Sequence, residues 1–333
     1  MSKKVALIFV FNHRYDKNIP VLEKIYKDRF SNIYHLVPFY DGDRLNVIPV
    51  YENSFYFQGY IAQGLQHYFA EEFVHYLFVA DDLILNPSIN EDNYAEYFKL
   101  SPTTSFIPEI FQLHHLSNNN TLRFEKFNNI RGQLNKLYWW RIKDVVNYQH
   151  KKEGVETRNE MPGFEEAEAI FKKHGYFVKP LTYLDAYGGL FPMSLKTHEK
   201  RMKAARFLYH VKSHRRKYRL SYPLVGAYSD LVIVAQSSIK KFCHYCGVFA
   251  ANELFVEFAV PSALLLASDE VVTEPVLGKR GDIYWTYTQE EAANYDSEMQ
   301  VFHYKLRELL LHFPKDKLYI HPIKLSKWNT QQE

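Results

Sequence analysis

The sequence predicts an α/β fold, with a mainly parallel central sheet flanked by helices and interrupted by a helical and irregular insertion. Three observations predict it. Apolar runs alternate with helix-period segments over the first hundred residues. The runs are apolar almost throughout, as expected of strands covered on both faces. Each also ends in a polar cluster, and parallel sheets bind ligands beyond the carboxyl ends of their strands.

The elements follow in order. Val5–Phe11 reads as the first strand. From Asn18 to Phe30, Ile19, Leu22, Ile25, Tyr26 and Phe30 recur near helical spacing, with Asn18 as the N-cap and Pro20 in the first turn. Ile33–Phe39 is a second strand, ending in Tyr40-Asp41-Gly42-Asp43, and Gln58–Phe69 a second helix. Tyr76–Ala80 is a third strand, closed by Asp81-Asp82. Strand, helix, strand, helix, strand implies right-handed crossovers.

Regular patterning returns after Ser221. Asp230–Ala235 is an apolar strand and Ser237–Cys243 a short helix leading to Gly247. Asn252–Leu266 reads as an apolar helix with Glu253 and Glu257 on one face, kinked or broken at Pro261. Thr288-Gln289-Glu290-Glu291 is a capping box opening a long helix to about Phe313. Leu318–Ile320 is a last short strand before His321. Between 88 and 220 the pattern is weaker: Trp139-Trp140-Arg141, a helix over Gly163–His174 and a Gly188-Gly189 turn.

The 333 residues can bury a sizeable core. The 26 Tyr and 25 Phe supply flat amphipathic surfaces suited to stacking on bases or sugars. Cys243 and Cys246 are the two cysteines, too few for a four-ligand zinc site, and read as ordinary thiols of a reducing compartment. The chain shows no secretory signal and no apolar stretch of membrane-spanning length, so a cytoplasmic location is expected. The Asn119-Asn120-Thr121 triplet is then a chance match. The net charge is +3, but Lys196–Arg219 holds ten Lys or Arg against Glu199 alone, +9, which leaves −6 on the rest.

Three phosphate-binding patterns are missing. The first strand is followed by Asn12-His13-Arg14-Tyr15, not by the Gly-x-Gly-x-x-Gly of a dinucleotide fold. No Gly-x4-Gly-Lys-Ser/Thr loop occurs, and no glycine-rich loop of the kind a nucleotidylyltransferase uses to cradle a triphosphate. What remains at the third strand end is Asp81-Asp82. Carboxylates closing a buried strand are costly to desolvate and are tolerated against a cleft, a metal or a paired cation. A hard cation held there would neutralise a leaving diphosphate.

Ala80-Asp81-Asp82, placed after a helix–strand pair, resembles the Asp-x-Asp element of the GT-A superfamily of nucleotide-sugar glycosyltransferases. The resemblance spans roughly 1–90 and 221–328. It implies a Rossmann-type sheet and a metal-dependent transfer of sugar from a nucleoside diphosphate, UDP foremost, to a hydroxyl of a glycan or lipid-linked acceptor. It also implies Mn²⁺ or Mg²⁺, with Asp82 as direct ligand and Asp81 on metal or ribose. Gly226–Ser229, the following strand and Asn252-Glu253 are similar to the loop, strand and acidic helix that carry the family's catalytic pair. Asn-Glu replaces the usual acid pair, so Glu253 and Glu257 both stand as catalytic candidates. Tyr319-Ile320-His321-Pro322-Ile323-Lys324-Leu325-Ser326-Lys327-Trp328 resembles the His…Lys-Pro-Trp ending of glycogenin-like members, with Ser326 in place of the proline. It makes His321 a third metal ligand and Lys324 and Lys327 phosphate contacts. Asn12, His13, Arg14, Asp41, Asp43, Gln58 and Gln63 lie where relatives contact base and ribose.

One catalytic domain is expected, with a donor-binding half (1–100), an insertion (101–220) that matches nothing in the family and is expected to shape the acceptor site, and a catalytic half (221–333). The resemblance points to bacterial surface-polysaccharide synthesis. The basic run fits a phosphorylated or lipid-diphosphate acceptor at a membrane face better than nucleic acid. A non-catalytic nucleotide- or glycan-binding module of this fold and a basic nucleic-acid-binding protein are the competing expectations.

Overall fold

The computed structural model describes residues 4–110, 157–177, 194–214, 222–284 and 288–331. Trp139-Trp140-Arg141, Gly188-Gly189 and the Arg215–Arg219 end of the basic run lie outside them.

A seven-stranded sheet forms the centre, in the order β3-β2-β1-β4-β7-β6-β8. Its strands are β1 (Lys4–Val10), β2 (Asn32–Pro38), β3 (Val47–Val50), β4 (Phe73–Ala80), β6 (Thr104–Phe106), β7 (Leu231–Ala235) and β8 (Glu270–Val272). The run β3-β2-β1-β4 is parallel, so these four strands end on one edge. β7 enters antiparallel beside β4, with Phe78 opposite Val232, and ties the C-terminal half into the same sheet. The chain leaves β1 towards β2 on one side and reaches β4 on the other. The crevice between β1 and β4 is therefore a topological switch point, where open α/β sheets take their ligands.

Alternation along the strands builds two cores. Ala6, Ile8, Val10, Tyr76 and Phe78 face one side, where α2 (Gln58–Tyr68), α6 (Gln236–Ala251) and α7 (Val256–Ala267) pack. α4 (Phe164–Lys173) joins them through Ala167 and Phe171. Val5, Leu7, Phe9, Leu77 and Val79 face the other, under α1 (Ile19–Tyr26), α3 (Tyr94–Tyr97), α8 (Gln289–Gln300) and α9 (Leu306–Leu311). A Cβ on Gly59 of α2 would lie 3.2 Å from that of Ala250 on α6, so a small residue there lets the two helices approach closely. The longest helix among the described residues, α5 (His198–His214), carries the first half of the basic run.

Local expectations hold with instructive exceptions. Thr288 makes the capping box with Glu291, but α8 stops at Gln300, well before Phe313. His303 and Tyr304 follow in left-handed conformations that a continuous helix excludes. α6 runs on through Gly247 to Ala251 and ends there in a Schellman closure, with Glu253 N–H on Ala250 O at 2.8 Å and Leu254 N–H on Phe249 O at 3.0 Å. Glu253 therefore sits in the turn at φ 53°, and not one helical turn before Glu257 on a shared helix. Pro261 does not break α7. The Glu257 carbonyl, which Pro261 leaves without a helical donor, accepts from Ala227 N–H at 2.9 Å.

Candidate functional site

The site grows from the carboxyl end of β4. The strand's apolar run stops at Ala80, whose N–H bonds Asp230 O at 2.8 Å, while Asp81 N–H bonds Val10 O at 3.1 Å. The backbone of Asp81 is thus laid across the end of β1, at the switch point. The chain turns and enters β5 (Ile84–Leu85), one strand of a small sheet ordered β5-β10-β9, with β9 at Arg280–Ile283 and β10 at Lys317–His321.

This small sheet makes the constellation. β5 and β10 are antiparallel, with Tyr319 opposite Leu85 and Ile320 opposite Ile84. Continuing that register brings the residues after Ile320 alongside Asp82. Ile323 N–H bonds Asp82 O at 2.6 Å, and His321 Nε2 lies 3.1 Å from Asp82 Oδ1. Arg29 secures the segment after β5 by donating to Asn86 O at 2.7 Å and Ile89 O at 2.8 Å. Its guanidinium lies over the Tyr26 ring.

The two aspartates have different environments. Asp81 is 5% exposed, accepts from Asn18 Nδ2 at 3.2 Å and is also reached by the backbone N–H of Asn12. Burial, and then the charge of Asp82, push its carboxyl up to about 7 against those donors. Burial would raise Asp82 too, but His321 and Lys324 hold it below the ordinary carboxylate value. Burial would lower His321, yet Asp82, Asp230 and Asp81 together raise it. Asp82 and His321 therefore form a mutually supporting carboxylate–histidine pair, their side chains 21% and 14% exposed. The Tyr228 ring stands edge-on to His321 with centroids 5.4 Å apart. Asp230, its carboxyl raised by burial, completes the surround.

The other sequence-predicted residues are spread along the same edge. His13 is exposed, with its ring against Tyr15. Arg14 pairs with Asp41 and lies 3.5 Å from Asp16, which bridges the loops after β1 and β2. Asp43 is exposed beyond that bridge. Gln58 is fully buried and gives its amide to Leu254 O at 2.8 Å, clamping α2 to the α6–α7 turn. Gln63 accepts from Tyr51 N–H at 2.8 Å. Both glutamines serve the scaffold in this structure. Lys324 is exposed and contributes to the field at Asp82, and Lys327 ends the one-turn helix Leu325–Lys327. Glu253 is exposed and Glu257 partly covered. The backbone links α7 to the site, since Ala227, which donates to Glu257 O, lies three residues before Asp230.

Three participants escaped sequence reading. Asn18 does not cap α1: its side chain goes to Asp81 instead. Tyr228 and Asp230 were read as a loop and a strand start. A buried polar residue ahead of an apolar strand that returns beside the Asp-Asp strand was the available signal.

Among the described residues, no three His, Cys, Asp or Glu side chains converge as a ready-made metal centre. The Asp82–His321 pair nonetheless fits two adjacent ligands of a hard cation. Neighbouring ligands of an octahedral ion at 2.0–2.1 Å stand about 3 Å apart, and Oδ1 and Nε2 stand 3.1 Å apart. Among the described residues His321 Nδ1 is buried without a hydrogen-bond partner, and Asp82 is the hydrogen-bond partner of the ring. No protein-family model matches this chain, and no curated protein or solved structure does.

Proposed function

We propose that this chain is a metal-dependent glycosyltransferase of GT-A type, moving a sugar from a nucleoside diphosphate, UDP foremost, to a hydroxyl of a glycan or lipid-linked acceptor. One observation carries the reading: a carboxylate–imidazole pair, Asp82 and His321, stands 3.1 Å apart at the switch-point edge of a mostly parallel sheet. Asp82 and His321 would hold Mn²⁺ or Mg²⁺, which binds through one or two protein ligands when substrate phosphates supply the rest. Bound there, the cation supplies charge neutralisation on the departing diphosphate. Lys324 adds a positive charge beside it, and the Arg14–Asp41 bridge borders the region assigned to base and ribose. Glu253 or Glu257 takes the acceptor proton in an inverting reaction or lines the reacting face in a retaining one.

Calorimetry with UDP-, GDP- and CMP-sugars, with and without manganese, tests this. Metal-dependent binding of one nucleotide class, lost in Asp82→Ala, is expected; absence of any such binding overturns the proposal. Full transfer by both Glu253→Gln and Glu257→Gln would remove the base assignment. Among the described residues two candidate ligands, and not three, meet at Asp82, and a second reading is a nucleotide-binding module without transfer. That reading expects binding with no donor turnover against any acceptor.

A further inference from the structure

The basic run contains a helix whose outward face is not that of an ordinary surface helix. α5 buries Ala204 and Phe207, three residues apart, and leaves the opposite side to solvent. A surface helix fills that side with polar residues. Here Met202 and Tyr209, two turns apart on the outward side, are 48% and 69% exposed. Leu208 beside them is 57% exposed, and Leu195, just before the helix, 50%. Cations frame this apolar strip. Arg201, Lys203 and Arg206 are all exposed. Glu199, the one acid of the run, is engaged by Lys203 at 2.7 Å, so Arg201 and Arg206 leave the outward face positive, with Lys196 and Lys200 adding charge outside it.

Exposed apolar side chains interleaved with cations on a helix lying along a surface are what an interfacial helix presents to a bilayer. Anionic headgroups meet the Lys and Arg side chains, and Met, Leu and Tyr enter the headgroup–acyl boundary. Nucleic acid would use the cations but leave the apolar strip unsatisfied. We propose that α5 docks this protein on an anionic membrane surface through Met202, Leu208 and Tyr209 with Arg201 and Arg206. This does not depend on the transferase reading. The helix is also not a membrane span: among the described residues none is long and apolar enough to cross one.

The test is co-sedimentation of the full chain with vesicles of phosphatidylcholine alone or mixed with phosphatidylglycerol. Binding to the mixed vesicles, weakening with salt, is expected. Two double variants divide the contributions: Arg201→Glu with Arg206→Glu, and Met202→Glu with Tyr209→Glu. Each should lower partitioning by about tenfold or more, while Leu311→Glu, an exposed residue elsewhere, leaves it unchanged. Circular dichroism confirms that each variant is folded. As a second readout, a dye on Met202→Cys should shift to the blue on mixed vesicles; Cys243 and Cys246 are buried and do not compete for label. The proposal is overturned by failure to bind mixed vesicles or equal binding to neutral ones. It is equally overturned by oligonucleotide binding that loses only to the arginine variant while the apolar variant changes nothing.

Discussion

His321 reaches Asp82, 239 positions earlier in the chain, because Ile320 is paired with Ile84 in a two-residue antiparallel strand. The contact is a product of register. A change that slips β5 against β10 by one residue would turn the imidazole to the other face of the small sheet.

The first prediction concerns the energy of that contact. In a double-mutant cycle of Asp82→Asn and His321→Gln, followed by urea unfolding, the pair should couple by about 1–3 kcal/mol. A coupling near zero would mean that the two groups are neighbours only.

Asn18 supplies a second prediction, which separates its two readings. A helix cap tolerates Asp as well as Asn. A donor to a buried carboxyl does not, because a second carboxylate would face Asp81 at the 3.2 Å now spanned by a hydrogen bond. Asn18→Ala should cost about 1–3 kcal/mol, and Asn18→Asp should cost more than Asn18→Ala. Chemical denaturation at about pH 9, where Asp81 is ionised, reads both, and the reverse ranking restores the cap.

Glu253 occupies the left-handed position of a helix closure, at φ 53°, where glycine is the residue without penalty. Glu253→Gly should be more stable than Glu253→Ala by about 1 kcal/mol, seen as a higher urea midpoint. If Glu253 is the base, the more stable variant is inactive too. Full transfer by that variant moves the role to Glu257.

A fourth prediction is a pH dependence remote from the site. His35 is fully covered, stacked on Phe9 and 3.6 Å from Glu23. Burial lowers it from 6.5 to about 4 against the pull of Glu23. The folded state keeps it neutral while the unfolded chain takes up a proton below pH 6.5. The His35 contribution should therefore be level above about pH 7 and fall as the pH drops from 6.5 towards 4, by up to about 3 kcal/mol. Asp81, raised to about 7, acts with the opposite sign over that range, so the His35 slope is read as the difference between the wild-type chain and His35→Phe. His35→Phe should remove most of that slope in a series of urea melts. An unchanged slope assigns it to the carboxylates.

Much of this arrangement was legible in the chain. The β1–β2–β4 run, the helices between them and the strand-end position of Asp81-Asp82 follow from hydrophobic period and turn chemistry, which are local. The capping box at Thr288 was local too. What was misread depends on partners distant in sequence. β3 is four residues long and gains its identity only beside β2. Asn18 has the chemistry of a cap, and only the packing of α1 over β4 turns its amide towards Asp81. Pro261 stays helical because Ala227, from another segment, satisfies the carbonyl it abandons. Glu253 and Glu257 keep helical spacing in sequence, yet a Schellman turn separates them. Period predicts elements; it does not predict which hydrogen bonds other parts of the chain will offer.

The pairing of β10 with β5 also orders events during synthesis. The sheet edge bearing Asp82 can be laid down early, since β1 to β4 lie within the first 80 residues. His321 emerges from the ribosome long afterwards. A nascent or interrupted chain would own the parallel strands and the carboxylates but not the imidazole that pairs with Asp82. Competence of the site would arrive in a single late step, when the final strand is threaded home.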